Sequence, residues 1–478
     1  MFASAIETDI APSWTLLGLL QRGRGDGWLH ALAADRAEAV AALERCVLHD
    51  PRPDWRLEHR SLYYARLYAE LGVPLDGIAA HLAHPEDARR TDEERTGLAL
   101  SVLGHLTSYG NREALALLRA YAVRGSNWRW ALDELAVRDD DVGLRALGPE
   151  ILARFPQTEE GEAALTAAVR DSFERRPWQL WADDPQRPRQ RARLARALEA
   201  GAFDRWRRQL RPSGPQPAWS VRAVLDWAQE GWERTPRQWR VSAAARCLGA
   251  VAGLEDRPEL RATAAQGPPA ARATALRHLA ERGDPEAFAL IAAAATDADR
   301  DVARAAVTAF SRMSGPAALA QARHWARRPD DLGVCAAALL ASRGEPKDAP
   351  TVLAALRSTV HSRGPNAREL RPLVDGAGRF ALSGAVPVLR RVYRETASSE
   401  LRGHAAAALA RTDPGFSHGL AVECLWDCEE DTRELAARHA ATGDHRVVER
   451  LRRLASDPAE QAGVQTVVRG RLAGHAGS

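Results

Sequence analysis

The clearest pattern of apolar and polar positions lies between residues 276 and 315. Gly283 follows an apolar run, Asp284 can cap the next helix, and Pro285 suits a first helical position. Apolar residues then recur three or four positions apart on both sides of a polar turn at 296–301: Phe288, Ile291, Ala292 and Ala295 before it, and Val302, Ala305, Ala306, Ala309 and Phe310 after it. This spacing predicts two amphipathic helices joined by a turn.

The helix–turn–helix unit is repeated along the chain. Residues 110–117 read GNREALAL, and residues 283–290 read GDPEAFAL. Equivalent turns recur at intervals of 29 to 40 residues, at Gly283, Gly315, Gly344, Gly384, Asp413 and Gly443. Periods of this length predict a helical solenoid, because each unit buries its apolar stripes only against its neighbours.

Three segments resemble the first helix of a HEAT-like repeat, of the short bacterial kind that also occurs in phycobilisome-lyase-type proteins. They are ELRGHAAAAL at 400–409, ARATAL at 271–276 and TRELAA at 432–437. The resemblance is good over residues 240–455 and fair over 90–155. It implies an all-α fold: a curved, right-handed α-solenoid of stacked antiparallel helix pairs. It also implies that Arg272, Arg402 and Arg433 form ladder contacts between repeats.

The middle of the chain departs from the repeat. Six prolines fall between residues 177 and 217, and residues 174–215 hold eleven arginines against five acidic residues. Seven of the fourteen tryptophans lie between 178 and 239. We therefore predict three segments: a degenerate HEAT-like block at 1–170, a Pro/Arg/Trp-rich interruption at 171–220, and a regular HEAT-like block at 221–478.

The Arg- and Trp-rich interruption is the first candidate binding site. On a helix predicted from about 187 to 200, three arginines share one face, and exposed Trp rings beside them would suit an anionic or aromatic partner. The candidate residues are Trp178, Trp181, Arg189, Arg193, Arg196, Trp206 and Arg207. The alternative is a helical insert in which the tryptophans pack and the arginines are solvated.

Trp130 and Asp133 are the only catalytic candidates. A family of alkyl-base DNA glycosylases is also built from HEAT-like repeats and uses Trp and Asp residues in a groove, and this chain resembles it in local residue types alone. Trp130 and Asp133 lie three positions apart and can share a helix face. The alternative is that this part of the helix serves packing.

Motifs for other chemistry are absent from the sequence. There is no Walker-type phosphate loop, and Lys347 is the only lysine. The glycine-rich residues 23–27 follow a helical pattern, which predicts an inter-helix loop. Cys424 and Cys428, with His418 upstream, lack a second ligand pair, and we expect a buried apolar pair. We therefore expect no metal site and no cofactor.

Composition indicates a cytoplasmic protein. The sequence has no apolar run long enough for a membrane span, its first residues lack the pattern of a signal peptide, and its five cysteines lack the spacing of a disulfide framework. The preference for arginine over lysine is typical of a GC-rich, actinobacterial-type genome. The net charge of +3 over 478 residues gives no general affinity for nucleic acid.

These observations favour a non-catalytic scaffold or adaptor that binds a protein or peptide on the concave face of the solenoid, which the second helices line. One alternative is nucleic-acid binding or base repair by a HEAT-like glycosylase. Another is an accessory protein of peptide natural-product processing. A continuous positive concave groove would favour nucleic acid, and a groove of mixed charge with exposed Trp and Leu would favour protein.

Overall fold

The computed structural model describes residues 10–52, 58, 60–87, 93–210, 219–230 and 237–476. In this part of the chain the regular elements are α-helices and three short 3-10 turns. Helices that are neighbours in sequence pack against one another. The all-α fold is therefore confirmed, and its packing is consistent with a HEAT-repeat solenoid. None of the helices described here has the length and apolar character that crossing a membrane requires.

The first twelve helices occupy the N-terminal part of the chain. They are α1 Leu16–Gln21, α2 Gly25–Ala33, α3 Arg36–Leu48, α4 Ser61–Leu71, α5 Asp76–Leu82, α6 Glu93–Ser108, α7 Arg112–Arg124, α8 Trp128–Arg138, α9 Asp141–Leu152, α10 Glu159–Asp171, α11 Arg176–Ala182 and α12 Pro188–Leu210. Helices α11 and α12 show that helical structure continues into the predicted interruption.

The remaining sixteen helices among the described residues follow residue 219. They are α13 Val221–Glu230, α14 Arg237–Val251, α15 Arg257–Gln266, α16 Pro269–Glu281, α17 Ala287–Ala294, α18 Arg300–Arg312, α19 Pro316–Trp325, α20 Asp331–Arg343, α21 Ala349–Arg363, α22 Leu370–Arg379, α23 Val386–Glu395, α24 Ser399–Thr412, α25 Leu420–Cys424, α26 Glu430–His439, α27 His445–Ser456 and α28 Ala462–Ala476.

Contacts divide the chain into two compact units. The first combines residues 1–209, 394–406 and 414–478, and the second combines residues 210–393 and 407–413. The predicted boundaries after 170 and 220 divide the chain linearly, whereas each compact unit joins segments that are distant in sequence. That linear division stays a prediction.

The repeated turns use left-handed glycines and polar side chains. Gly110 and Gly283 have φ angles of 81° and 66°, a region that favours glycine. The Asn111 side chain accepts a hydrogen bond from the amide of Ala114 at 3.0 Å, and Asp284 accepts one from the amide of Glu286 at 3.0 Å. Helix α17 begins at Ala287, so Pro285 lies in the turn and not at the predicted first helical position.

Arginine–carboxylate ladders connect successive helix pairs, as predicted. Arg272 pairs with Asp297 at 2.6 Å, Arg402 with Asp427 at 2.8 Å, and Arg433 with Glu460 at 2.7 Å. A second ladder, from the other helix of each pair, joins Arg261 to Asp284, Arg323 to Asp348 and Arg390 to Asp413. If pairs are counted from α15, the helices of Arg272, Arg402 and Arg433 are the second of their pairs, not the first. Each contact fixes the loop of the following repeat.

In the first unit, the N-terminal helices pack directly on C-terminal residues. Gly25 lies so close to α25 that a Cβ atom there would be 2.0 Å from the carbonyl oxygen of Glu423. Glu58 accepts hydrogen bonds from the backbone and hydroxyl of Ser399 at 2.7 and 2.9 Å. The predicted loop at residues 23–27 is therefore wrong: from Gly25 onward these residues form α2, whose glycines allow the close approach.

Candidate functional site

The two tryptophans of α11 lie in the core. Trp178 is 2% exposed and Trp181 is fully buried, with their ring centroids 5.2 Å apart. The indole nitrogen of Trp181 also donates to the carbonyl oxygen of Leu144 at 2.6 Å. This placement corrects the expectation of exposed rings: burial of both rings holds α11 against α9, and neither ring can stack on a ligand in this structure.

The three arginines of α12 do not form one solvated face. Arg189 and Arg196 are exposed, but Arg193 is buried and donates to the Phe155 carbonyl at 2.7 Å and to Glu162 at 2.6 Å. Arg193 therefore caps backbone carbonyls beyond the end of α9, which corrects its assignment to a partner-binding face.

The structure does not bring the predicted arginines of this candidate site to one cavity. Arg189 and Arg193 line an open cavity of about 400 Å³ together with Gln190. Arg196 does not line that cavity. Trp206 and Arg207 lie beyond the side chains that the structure describes. An anion-binding site on α12 therefore stays a prediction, and it rests on Arg189 and Arg196.

Trp130 and Asp133 each make a contact that supports the fold. The indole nitrogen of Trp130 donates to the Ser101 hydroxyl at 2.9 Å, and Asp133 accepts from the backbone amide of Glu174 at 3.1 Å. Burial raises the pKa of Asp133 to about 6, and the charges of Glu174 and Glu134 act in the same direction. These contacts tie α8 to α6 and to the segment before α11.

The cysteine pair Cys424 and Cys428 is buried, as expected. The guanidinium of Arg402 donates to the sulfur of Cys428 at 3.2 Å, and burial raises the pKa of that thiol to about 11. Among the described residues, no three His, Cys, Asp or Glu side chains are grouped as metal ligands. The pair therefore belongs to the packing of the first unit.

The second unit contains a groove that crosses three stacked helices, α14, α16 and α18. The groove encloses about 220 Å³. The lining residues are Val241, Ser242, Ala273, Arg277, Asp301, Arg304, Ala305, Thr308, Ala309 and Arg312. We call this set the α14–α18 groove.

Small residues form the floor of the α14–α18 groove, and arginines form its rim. Ala305 and Ala309 lie one turn apart on α18, and Ala273 lies on α16. Their short side chains leave the space between the helices open. Arg304 and Arg312 extend beside this floor, with side chains that are 65% and 44% exposed.

The charge of the α14–α18 groove is mixed. Arg277 donates to the Ser242 hydroxyl at 2.6 Å and pairs with Glu281 at 2.9 Å. Arg304 lies 3.7 Å from Asp301, and Arg312 lies 3.7 Å from Glu281. The arginines thus alternate with carboxylates and do not form a continuous positive surface.

Part of the α14–α18 groove lies in a segment that matches a known repeat family. Residues 257–343 match the family model described as HEAT repeats. This segment spans α15–α20 and therefore includes two of the three groove helices. No curated protein matches the chain. The match supports a HEAT-like repeat protein, a class in which a scaffold or binding role is typical.

The α14–α18 groove was not identified as a site from the sequence. The sequence pattern places Ala305 and Ala309 in an apolar packing stripe, and Ala309 is indeed buried. The sequence signal for this groove is a pair of arginines eight positions apart on one helix, Arg304 and Arg312, with Ala305, Thr308 and Ala309 between them. That spacing puts both arginines beside one strip of short side chains.

Proposed function

We propose that this protein is a non-catalytic adaptor that binds a protein or peptide along the α14–α18 groove. The observation that supports the proposal most strongly is a groove of mixed charge that crosses successive helix pairs, with a floor of small residues. Solenoids bind extended partners in this way, because each repeat adds one contact to a continuous surface.

The groove chemistry suits a peptide better than a nucleic acid. The exposed guanidiniums of Arg304 and Arg312 can pair with partner carboxylates, and the Thr308 hydroxyl can bond a peptide group. Asp301 and Glu281 would repel a phosphate backbone, whose affinity depends on net positive charge. Nucleic-acid binding is therefore the competing function and not the preferred one.

The finer proposal is a cytoplasmic adaptor of the short bacterial HEAT-like kind, as also found in phycobilisome-lyase-type proteins. The buried thiols of Cys46 and Cys428 are compatible with a reducing compartment. The arginine-rich composition fits an actinobacterial-type source. A role in peptide natural-product processing would be one setting for such an adaptor.

Affinity capture with charge-reversed variants tests the proposal. Tagged wild-type protein, the double variant Arg304→Glu/Arg312→Glu and the control Arg327→Glu/Arg368→Glu are compared by quantitative mass spectrometry after nuclease treatment. The control changes net charge equally at exposed arginines that do not line the groove.

A protein captured by the wild type and the control, but depleted with the groove variant, would support the proposal. Capture that both double variants retain equally would contradict it. Partners that disappear on nuclease treatment would point to nucleic acid instead.

A further inference from the structure

A second pocket, of larger volume, lies within the first unit. It encloses about 490 Å³ between α2, α4 and α27, with Trp426 beside them. The lining residues are Trp28, Leu29, Leu32, Arg66, Ala69, Glu70, Tyr109, Trp426, His445, Arg446, Glu449, Arg450, Arg453 and Asp457. We call it the Trp28–Trp426 pocket. Its volume lies within the range of small-molecule sites.

Arg450 is the central charged residue of this pocket. Its guanidinium carbon lies 5.5 Å from the ring centroid of Trp28 and 5.2 Å from that of Trp426. The residue is 8% exposed, and its Nε donates to the Leu425 carbonyl at 3.1 Å. The two Trp rings and the Leu425 carbonyl therefore orient the guanidinium of Arg450. Its two terminal nitrogens remain available for other contacts.

The carboxylates near Arg450 are engaged by other cations. Asp457 pairs with Arg66 at 2.7 Å, and Glu460 with Arg433 at 2.7 Å. Within the described part of the chain, Arg450 forms no ion pair. Burial and the positive charges of Arg66 and Arg433 together lower the pKa of Arg450 to about 9, against the opposing charges of Glu460 and Asp457. A buried cation without a counter-ion is costly, and a bound anion would relieve that cost.

Arg446 adds a second cation one turn before Arg450. It is exposed, lines the same pocket and, among the described residues, has no carboxylate partner. Arg453, by contrast, is paired with Glu70 at 3.2 Å and with Glu449 at 3.4 Å. The two unneutralised arginines thus face one cavity from one helix.

The other lining residues indicate which chemistry the rest of the ligand would have. The Trp28 ring is buried, whereas Leu29 and Leu32 are 38% and 43% exposed at the pocket. These side chains provide flat and apolar contacts. The carboxylates of Glu70, Glu449 and Asp457 also line the cavity, so they would repel a dianion such as a phosphate monoester more than a monoanion.

We propose that the Trp28–Trp426 pocket binds a small organic monoanion, a single carboxylate carried on a flat apolar body. Arg450 and Arg446 hold the carboxylate by charge-assisted hydrogen bonds. The body packs against the tryptophans and the two leucines. This site is independent of the α14–α18 groove, which lies in the other unit, and either can fail without the other.

Calorimetric titration of the full chain tests this assignment. The probes are indole-3-acetate and its uncharged analogue indole-3-acetamide, each at up to millimolar concentration. The acid is expected to bind at least about ten-fold more tightly than the amide, since the amide carries no negative charge to pair with the arginines. Equal affinity, or no binding of either probe, would overturn the proposal.

Variants of α27 locate the binding. Arg446→Gln should weaken the binding of indole-3-acetate about ten-fold and leave the binding of indole-3-acetamide unchanged. Arg452→Gln is the matched control, because Arg452 lies on the same helix and does not line the pocket. Arg450→Gln should weaken the binding of indole-3-acetate further. Because Arg450 is buried, that variant can unfold, so the test relies on the exposed Arg446. Equal losses for Arg446→Gln and Arg452→Gln would contradict the site.

A second pair of probes identifies the source of the carboxylate. A short peptide that ends in tryptophan is titrated as the free acid and as the C-terminal amide. Preference for the free-acid peptide over both its amide and indole-3-acetate would show that the carboxylate is a chain end. Preference for indole-3-acetate would show that it belongs to a free small molecule. Both results support the chemistry of the site.

Discussion

Arg402 holds both carboxylate oxygens of Asp427, with its Nε and one Nη donating at 2.8 and 2.9 Å, and neither side chain is exposed to solvent. The equivalent pair Arg272–Asp297 makes the ladder contact through one hydrogen bond at 2.6 Å, with side chains that are 16% and 22% exposed. One contact is thus repeated in two environments. Removal of the arginine should therefore lower the stability of the fold by different amounts in the two environments. The loss is largest where the carboxylate left behind is buried.

We predict that Arg402→Met is much more destabilising than Arg272→Met. The first change leaves Asp427 buried without its cation and should cost about 3–5 kcal/mol. The second leaves Asp297 partly solvated and should cost at most about 1 kcal/mol. Urea unfolding of both variants measures the difference, and losses of similar size would show that burial does not govern the ladder.

Gly25→Ala should disrupt the packing of α2 against the C-terminal helices. The added Cβ would lie 2.0 Å from the Glu423 carbonyl oxygen, so the backbone must move, at a cost of roughly 2–3 kcal/mol. Gly443→Ala is the control, since nothing lies within 4 Å of a Cβ there. Thermal unfolding should show a lower midpoint for Gly25→Ala alone. An unchanged midpoint would mean that α2 does not pack in this way.

The repeat and its ladders could be predicted from the sequence because they depend on local spacing. Gly283, Asp284 and the stripe from Val302 to Phe310 are read from neighbouring residues alone. The contact between Gly25 and Glu423 joins positions distant in sequence, and three glycines in five residues otherwise indicate a loop. The sequence alone could not show this contact, because a glycine that allows two backbones to approach closely cannot be distinguished there from a glycine in a loop.

The candidate sites were harder to predict for a related reason. Clusters of Trp and Arg look alike whether they are exposed or packed, and the burial of Trp178, Trp181 and Arg193 depends on helices α9 and α10. The Trp28–Trp426 pocket likewise combines residues from the two ends of the chain. Arg450 has no unusual sequence context, and its missing counter-ion is visible only in three dimensions.

The Glu460 carboxylate should make stability depend on pH in the acid range. Burial alone would raise the pKa of Glu460, but hydrogen bonds and charge from Arg433, together with Arg66, outweigh it and lower the pKa to about 2. A carboxyl with a lowered folded pKa stabilises the fold above its ordinary pKa of 4.5. That contribution is lost as the pH falls from about 4.5 to 2.

The size of the Glu460 contribution should be on the order of 3 kcal/mol. Free energies of unfolding measured across this pH range should fall for the wild type and change less for Glu460→Gln. Glu430→Gln, at an exposed position, should behave like the wild type. The same acid dependence in all three proteins would exclude Glu460 as its source.

Asp133→Asn should stabilise the protein at neutral pH. Because burial raises the pKa of Asp133 from 3.8 to about 6, the carboxylate present above that pH is less stable in the fold than in the unfolded chain. Asparagine keeps an acceptor for the Glu174 amide without the charge. We expect a gain of about 1 kcal/mol at pH 7, after allowance for partial exposure, and almost none near pH 4.

Thermal unfolding of Asp133→Asn at the two pH values measures this effect, and destabilisation at pH 7 would contradict it. The same protein can be assayed for release of a methylated base from DNA. Release by the wild type that is lost in Asp133→Asn would support the glycosylase hypothesis. A stabilised variant with no such activity in either protein would support a structural role.

The central claim is that the α14–α18 groove binds a protein or peptide partner. Its most direct test is the dissociation constant of the purified captured partner for wild type, Arg304→Glu/Arg312→Glu and the charge-matched control Arg327→Glu/Arg368→Glu. The account predicts that the groove variant binds at least about ten-fold more weakly, whereas the control stays within about two-fold of the wild type. Equal affinity of the groove variant and the control would contradict it.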